Sequence, residues 1–196
     1  ALPDEMKAVF SDFKTVDTGI KHGTVSVILK HKAYEVTTYR IDGEYRDARH
    51  PESVSFTEEI SEDLARRDFT VNAMAYNDRV GLVDLFGGID DLNNRIIRCV
   101  GNPNERFSED ALRTLRAVRF AGQLDFEIEE NTRRAIFETK ELLKNISAER
   151  IQVEFSKLIC GKNAYNVLEE YSDVICVFIP EIKDSIGFEQ INRHHI

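Results

Sequence analysis

The spacing of apolar residues divides this chain into two unlike halves. Leu2 to Phe13 carries helical spacing with Pro3 in its first turn. Thr15 to Gly19, Thr24 to Lys30 and Tyr34 to Tyr39 then alternate or run apolar with β-branched residues, and Gly23 punctuates the first pair, which predicts three strands. Three strands alone are a small sheet, so a partner strand is expected upstream of Ala1. Ile41 to Ile60 is polar, charged and turn-rich, with an Asp42-Gly43 pair and Pro51, and reads as a long loop, a kind of segment that is functional or disordered. From Asp68 onward the pattern predicts mainly helix, interrupted by a Gly87-Gly88 turn and a short strand at Ile96 to Val100. Ser108 reads as the cap of a helix to about Ala121, with Gly122 in the stop position. Further helices are expected at Glu130 to Leu143, Ala148 to Cys160 and Ala164 to Glu170, Gly161 ending one of them. The second half is therefore all-α, with no internal repeat or low-complexity segment.

Composition narrows the function classes. With 196 residues, 42% of them hydrophobic, the chain can bury a real core as one large domain or two small ones. No apolar run approaches the ~18 residues of a membrane span, and no basic-then-apolar signal pattern opens the chain, so the expected compartment is the cytoplasm. Cys99, Cys160 and Cys176 are widely separated and lack metal-ligand spacing, which points to reduced, mostly buried thiols. The net charge of -9 excludes binding of nucleic acid by a blanket of positive charge, so such contact must be local. Between Ser61 and Phe120 stand nine arginines and no lysine. Arginine offers a planar, always-charged fork for phosphate and for flat hydrogen-bonding edges, whereas lysine serves equally well on a merely solvated face.

Two clusters carry this chemistry. In Ala65-Arg66-Arg67-Asp68-Phe69-Thr70-Val71-Asn72-Ala73-Met74-Ala75-Tyr76, adjacent arginines precede an Asp able to cap a following helix. Guanidinium groups and free amides would then converge where an anion such as a triphosphate is favoured. An ordinary capped helix with a solvated arginine pair fits the same residues. In Ser108 to Arg119, Arg113, Arg116 and Arg119 recur every three residues after Asp110 and form a spiralling ridge on one helix, with Leu112, Leu115 and Val118 as the apolar ridge beside it. Asp110 and Arg113 paired across a turn on an exposed helix is the plainer meaning. The sharper one follows from donors and acceptors. A carboxylate only accepts and a guanidinium only donates, so together they match a donor beside an acceptor. Cytosine and adenine present an amino group next to a bare ring nitrogen, while uracil and guanine present the reverse. A mismatched base would leave buried polar groups unpaired. A third segment, Asp84-Leu85-Phe86-Gly87-Gly88-Ile89-Asp90-Asp91-Leu92, reads as a structural turn fixed by Asp91 or Asp84.

In this order, the segments resemble the class II tRNA nucleotidyltransferase and poly(A) polymerase family, within the polymerase-β-like nucleotidyltransferases. Arg66 to Ala75 resembles its motif B, Asp84 to Arg98 its motif C, and Glu109 to Arg113 its EDxxR motif D; the likeness runs from about Leu2 to the end. It implies an α+β fold: a nucleotidyltransferase palm with an incomplete mixed sheet at 1–100, then an all-α neck and body region that binds nucleotide and RNA at 101–196, truncated at its end. It implies that Arg67 holds the triphosphate, that Asp68 and Asn72 support the sugar, and that Glu109, Asp110, Arg113, Arg116 and Arg119 form the rest of the nucleotide site, with Asp110 and Arg113 as a protein template for C and A. Glu35 matches a third active-site carboxylate, although a surface glutamate is the plain alternative. The loop residues Arg40, Asp42, Tyr45, Asp47 and Arg49 resemble the flexible loop of CCA-adding and A-adding enzymes, and Asn72 to Ala75 is more like the tRNA enzymes than the poly(A) polymerases.

The implied activity is addition of CCA, or its terminal A, to the 3′ end of tRNA from CTP and ATP with Mg2+. A poly(A) polymerase or a catalytically silent nucleotide- or RNA-binding relative is the alternative. The GGxxRD segment and the metal-binding DxD pair of the family do not occur here. Their place is expected upstream of Ala1, and this chain alone is expected to be inert, because phosphoryl transfer needs metals to neutralise charge and activate the 3′ hydroxyl. The chain is expected to be a fragment at both ends, His194-His195 being a terminal scrap rather than a metal site.

Overall fold

A computed structural model describes residues 1–43 and 53–185. The loop residues Tyr45, Asp47, Arg49 and Pro51 and the His194-His195 pair lie outside the described residues. The fold is α+β, as expected. Helix α1 (Pro3–Val9) starts on proline, with the Glu5 carboxylate accepting from the Leu2 amide at 2.7 Å. It ends before Phe13, because the chain turns through Ser11 and Asp12 into the sheet. Strands β1 (Lys14–Gly19), β2 (Thr24–Leu29) and β3 (Lys32–Thr37) form an antiparallel sheet in that order, with Val25 and Val27 of β2 buried.

The segment expected to be loop is partly ordered. Strand β4 (Arg40–Asp42) pairs antiparallel with β5 (Val54–Phe56), and α2 (Ile60–Ala65) follows. The helix expected after Asp68 does not form. A single 3-10 turn, Thr70–Asn72, leads instead into a hairpin of β6 (Met74–Asn77) and β7 (Gly81–Asp84), where Tyr76 faces Leu82. Its tip is set by Asn77, whose Oδ1 accepts from the Arg79 amide at 2.8 Å, and by Gly81 at φ +82°. These turn constraints override the helical preference of Ala73, Met74 and Ala75.

Asp84 fixes the next turn, as the structural reading of that segment held. Its carboxylate accepts from the amides of Gly88 and Ile89, both at 2.8 Å, starting α3 (Gly88–Asn94). Gly88 also lies against the Thr70 carbonyl, and an added Cβ would sit 2.3 Å from that oxygen. Gly88→Ala is therefore expected to destabilise the protein by about 1–3 kcal/mol in denaturant unfolding. Wild-type stability in that variant would contradict this packing.

Strand β8 (Ile96–Ile97) is shorter than the expected Ile96 to Val100 and pairs in parallel with β9 (Glu127–Ile128); Cys99 instead bridges to Phe69. Between β8 and β9 lie α4 (Pro103–Glu109) and α5 (Leu112–Leu124). Ser108 does not cap α5. It sits inside α4, its hydroxyl donating to the Asn104 carbonyl at 2.8 Å, and Asn102 is the residue that caps α4. The chain breaks at Asp110, which adopts φ -139°, so Asp110 precedes the helix that carries Arg113, Arg116 and Arg119 rather than sharing its ridge. Gly122 is not a stop either. Helix α5 runs on to Leu124, and the Gly122 carbonyl accepts from the Asn163 amide at 2.9 Å, so glycine there permits close approach.

Helices α6 (Glu130–Thr139), α7 (Ala148–Ile159), α8 (Ala164–Glu170) and α9 (Ser172–Ile175) complete the second half, with 3-10 turns at Lys140–Asn145 and Pro180–Ser185. Leu112, Leu115 and Val118 bury one side of α5 in a continuous core that runs from Phe69 through Phe107 and Ile136 to Leu158 and Ile175. This core anchors the Arg66–Asn72 segment and the start of α5 to the same apolar mass, which fixes their relative position. Of the three thiols expected to be mostly buried, Cys99 is buried, and burial pushes it up to about 12, whereas Cys176 is half-buried and Cys160 exposed. No helix among the described residues is long and apolar enough to cross a membrane.

Candidate functional site

The arginine-rich segments meet. A cleft of about 360 Å³ is lined by Arg66, Arg67, Asp68 and Asn72 from the segment after α2, and by Asp110, Arg113 and Arg116 from the α4–α5 junction and α5. Four guanidinium groups face two carboxylates, so the cleft favours an anion although the chain as a whole is acidic.

Each arginine is held differently. Asp63 of α2, almost fully buried, takes Arg66 Nη2 at 2.7 Å and Arg67 Nη2 at 3.3 Å, and accepts from the Arg40 amide at 3.2 Å. Burial pushes the Asp63 carboxyl up, but the Arg66 hydrogen bond and the Arg66 and Arg67 charges outweigh it and hold the group below the usual carboxylate range. Among the described residues Arg67 keeps only long contacts, 3.3 Å to Asp63 and 3.4 Å to the Asn72 carbonyl, and its side chain is 43% exposed. It is the guanidinium readiest to take a ligand oxygen.

Asp68 does not cap a helix. Its Oδ1 accepts from the Phe69 amide at 2.9 Å and from Asn72 Nδ2 at 3.2 Å, and its Oδ2 takes Arg116 Nε at 2.9 Å and Nη2 at 2.5 Å. The anion-binding helix start expected there is thus replaced by side chains: with only one 3-10 turn, no column of free amides exists. Asn72 and Arg116 are oriented by Asp68 instead.

Asp110 and Arg113 both line the cleft, each with a separate partner. Asp110 takes Arg150 Nη2 at 3.0 and 3.2 Å and accepts from the Leu112 amide at 3.2 Å. Arg113 Nη1 donates to Glu109 at 2.8 Å. The pairing of Asp110 with Arg113 across a turn is therefore replaced by two separate pairs, and both an acceptor and a donor line the cleft.

The remaining expected site residues lie elsewhere. Arg119 is nearly buried and faces away from the cleft lining, with Nε to Glu154 at 2.7 Å, Nη1 to Gln123 at 2.8 Å and its guanidinium 3.5 Å from the Phe120 ring centroid. Three-residue spacing drifts around a helix, so by its third step the row has left the cleft. Glu109 is absent from the cleft lining and pairs with Arg106 and Arg113. Glu35 is exposed on β3 opposite Ser26. Arg40 pairs with Asp42 at 3.0 Å, and Asp42 lies 3.9 Å from Arg66, which ties the base of the loop to the cleft.

Sequence reasoning missed Asp63, Arg106, Arg150 and Glu154. Arg150 and Glu154 are four apart on α7 and so share a face, which was a usable signal. Asp63 stands three and four residues before Arg66 and Arg67, a weaker one. Among the described residues, no three His, Cys, Asp or Glu side chains come together to hold a metal ion. Glu35 alone does not make a magnesium site.

Residues 1–98 match the family described as "Poly A polymerase head domain", and residues 125–184 the one described as "Probable RNA and SrmB-binding site of polymerase A". The chain is 53% identical over 196 residues to a CCA-adding enzyme of Pediococcus pentosaceus, covering 99% of this chain and 49% of that protein. It is 49% identical over 185 residues to that of Enterococcus faecalis, covering 94% and 45%. Among solved structures it resembles the Bacillus stearothermophilus CCA-adding enzyme in complex with CTP, with a TM-score of 0.79, 44% identity, and coverage of 88% of this chain and 41% of that one. It also resembles the Thermotoga maritima CCA-adding enzyme complexed with tRNA, with a TM-score of 0.73, 29% identity and coverage of 91% and 42%. The chain spans about half the length of the curated relatives it matches. With its head-domain match, its α+β fold and the convergence of its motif B and EDxxR segments on one cleft, the chain belongs to the class II tRNA nucleotidyltransferase and poly(A) polymerase family.

Proposed function

We propose that the complete protein carrying this chain is a tRNA nucleotidyltransferase that adds CCA, or its terminal A, to tRNA from CTP and ATP in the cytoplasm. The observation that carries the reading is the cleft itself, whose lining brings a loosely held Arg67 together with an acceptor, Asp110, and a donor, Arg113. In this reading Arg67 takes the triphosphate, Asn72 and Asp68 support the sugar, Arg116 is held by Asp68 at its edge, and Asp110 with Arg113 reads the donor-acceptor edge of C or A. Residues 1–100 serve as the palm, and 101–196 as the neck and body that meet RNA by shape and backbone contacts. Relatives solved with CTP, with ATP and with tRNA support this assignment.

Magnesium is proposed for the complete protein, where it would offset phosphate charge. The described residues do not gather a site for it, and their part is to bind and orient the nucleotide. Arg119 and Glu109 act at one remove from the nucleotide, through Glu154 and Arg113. The test is incorporation of labelled CTP and ATP into tRNA lacking its 3′ CCA by the complete protein with Mg2+. Ordered addition of two C and one A establishes a CCA-adding enzyme, A alone on a CC-ending tRNA an A-adding one. No incorporation, or long A tails, contradicts the proposal.

A further inference from the structure

Arg106, near the end of α4, lies behind the cleft rather than in it, with a side chain only 14% exposed. Its Nη2 donates to the Arg66 carbonyl and, at 3.3 Å, to the Arg67 carbonyl, while its Nη1 meets Glu109 Oε2. Arg113 reaches the same two partners from α5. Its Nη1 lies 2.8 Å from Glu109 Oε2 and 3.1 Å from the Arg106 carbonyl, and its Nη2 lies 3.3 Å from the Arg66 carbonyl. One carboxylate oxygen and one carbonyl oxygen are thus each shared by two guanidinium groups. Together they close a clasp between the Arg66–Arg67 backbone and the junction that carries Asp110.

We propose that Arg106 is a positioning residue for nucleotide selection, holding Arg67 at a fixed distance and angle from Asp110 and Arg113. The inference rests on reading the cleft as a nucleotide site. A guanidinium presents five donors in a rigid plane and can grip a carboxylate and two carbonyls at once, whereas an ammonium is a point charge without that fork. Without Arg106, Glu109 and Arg113 keep each other and Arg113 keeps the Arg66 carbonyl at 3.3 Å, but the Arg67 carbonyl loses its tie to α4. The phosphate end of the cleft is then free to shift slightly against the base end, and small misplacements cost large factors in recognition.

The test is equilibrium titration of the chain with CTP, ATP and UTP, alongside thermal melts, for wild type, Arg106→Ala, Arg106→Lys and the Arg106→Ala/Glu109→Gln pair. Arg106→Ala is expected to weaken CTP and ATP by about ten-fold and to lower the CTP-over-UTP preference by about as much. Arg106→Lys keeps the charge and should recover affinity but not preference. The double variant should bind no worse than Arg106→Ala, since the two residues act as one unit. A purely structural role would lower the melting temperature and leave the preference of the folded fraction intact, which overturns the inference, as does full recovery of preference by lysine. Should Arg106→Ala fail to fold, the lysine variant decides. If wild type prefers CTP and ATP and the variants do too, only this inference falls; if wild type binds no nucleotide, the reading of the cleft falls and takes the inference with it.

Discussion

Asp110→Ala is expected to lower the preference for C and A over U and G by about 100-fold, because a site built on paired polar groups rejects a mismatched edge far more strongly than an apolar pocket does. The variant removes the acceptor that lines the cleft with Arg113, so no edge is favoured by its donor any longer. Arg67→Ala should weaken all four nucleotides alike, since in the proposed reading it takes the triphosphate that they share. Arg150 complicates the comparison, because Asp110 is its ion-pair partner at 3.0 Å. Arg150→Ala separates the two effects: if it reproduces the Asp110→Ala loss, Arg150 is holding the carboxylate in its reading position. Nucleotide titrations of the three variants check this, and equal, unselective losses in Asp110→Ala and Arg67→Ala would defeat the template reading.

The largest effect on stability should come from Glu154→Ala. Glu154 is buried on α7 and takes Arg119 Nε at 2.7 Å, with Arg116 at 3.6 Å and Lys157 at 3.4 Å. Arg116 in turn holds Asp68, so a chain of charges runs from the core to the cleft. Removing the carboxylate leaves the buried Arg119 without its main acceptor, and breaking a buried pair from one side costs about 3–5 kcal/mol. Replacing both partners, as Glu154→Leu with Arg119→Met, should recover most of that stability, because the penalty comes from the orphaned charge rather than from the loss of a favourable pair. Denaturant unfolding of the single and double variants measures it. A single-variant loss below about 1 kcal/mol would mean that water or Gln123 already satisfies Arg119.

The first three strands and the last helices were legible because their period is local: β-branched alternation marked β1 to β3, and amphipathic spacing marked α7 and α8 almost to the residue. The hairpin of β6 and β7 was not, because Ala73, Met74 and Ala75 favour helix and only the pairing of Tyr76 with Leu82 across the turn reveals the strand. The α4–α5 break failed for a related reason. Nothing in Ser108-Glu109-Asp110-Ala111 forbids a continuous helix, and the contacts that flank the break, Arg106 and Arg113 on the Arg66 carbonyl, come from forty and more residues away. Most residues that line the cleft, Arg66, Arg67, Asp68, Asn72, Asp110, Arg113 and Arg116, stand in the two segments that the sequence singled out. Their partners do not: Asp63, Arg150 and Glu154 serve the cleft from other elements, and only tertiary structure brings them there.

The most direct measurement is titration of the chain with CTP, ATP, UTP and GTP under one buffer, without metal and then with Mg2+. CTP and ATP should bind alike, each at least about ten-fold more tightly than UTP and GTP. Four equal affinities, or none, would contradict a cleft in which Asp110 and Arg113 read the base.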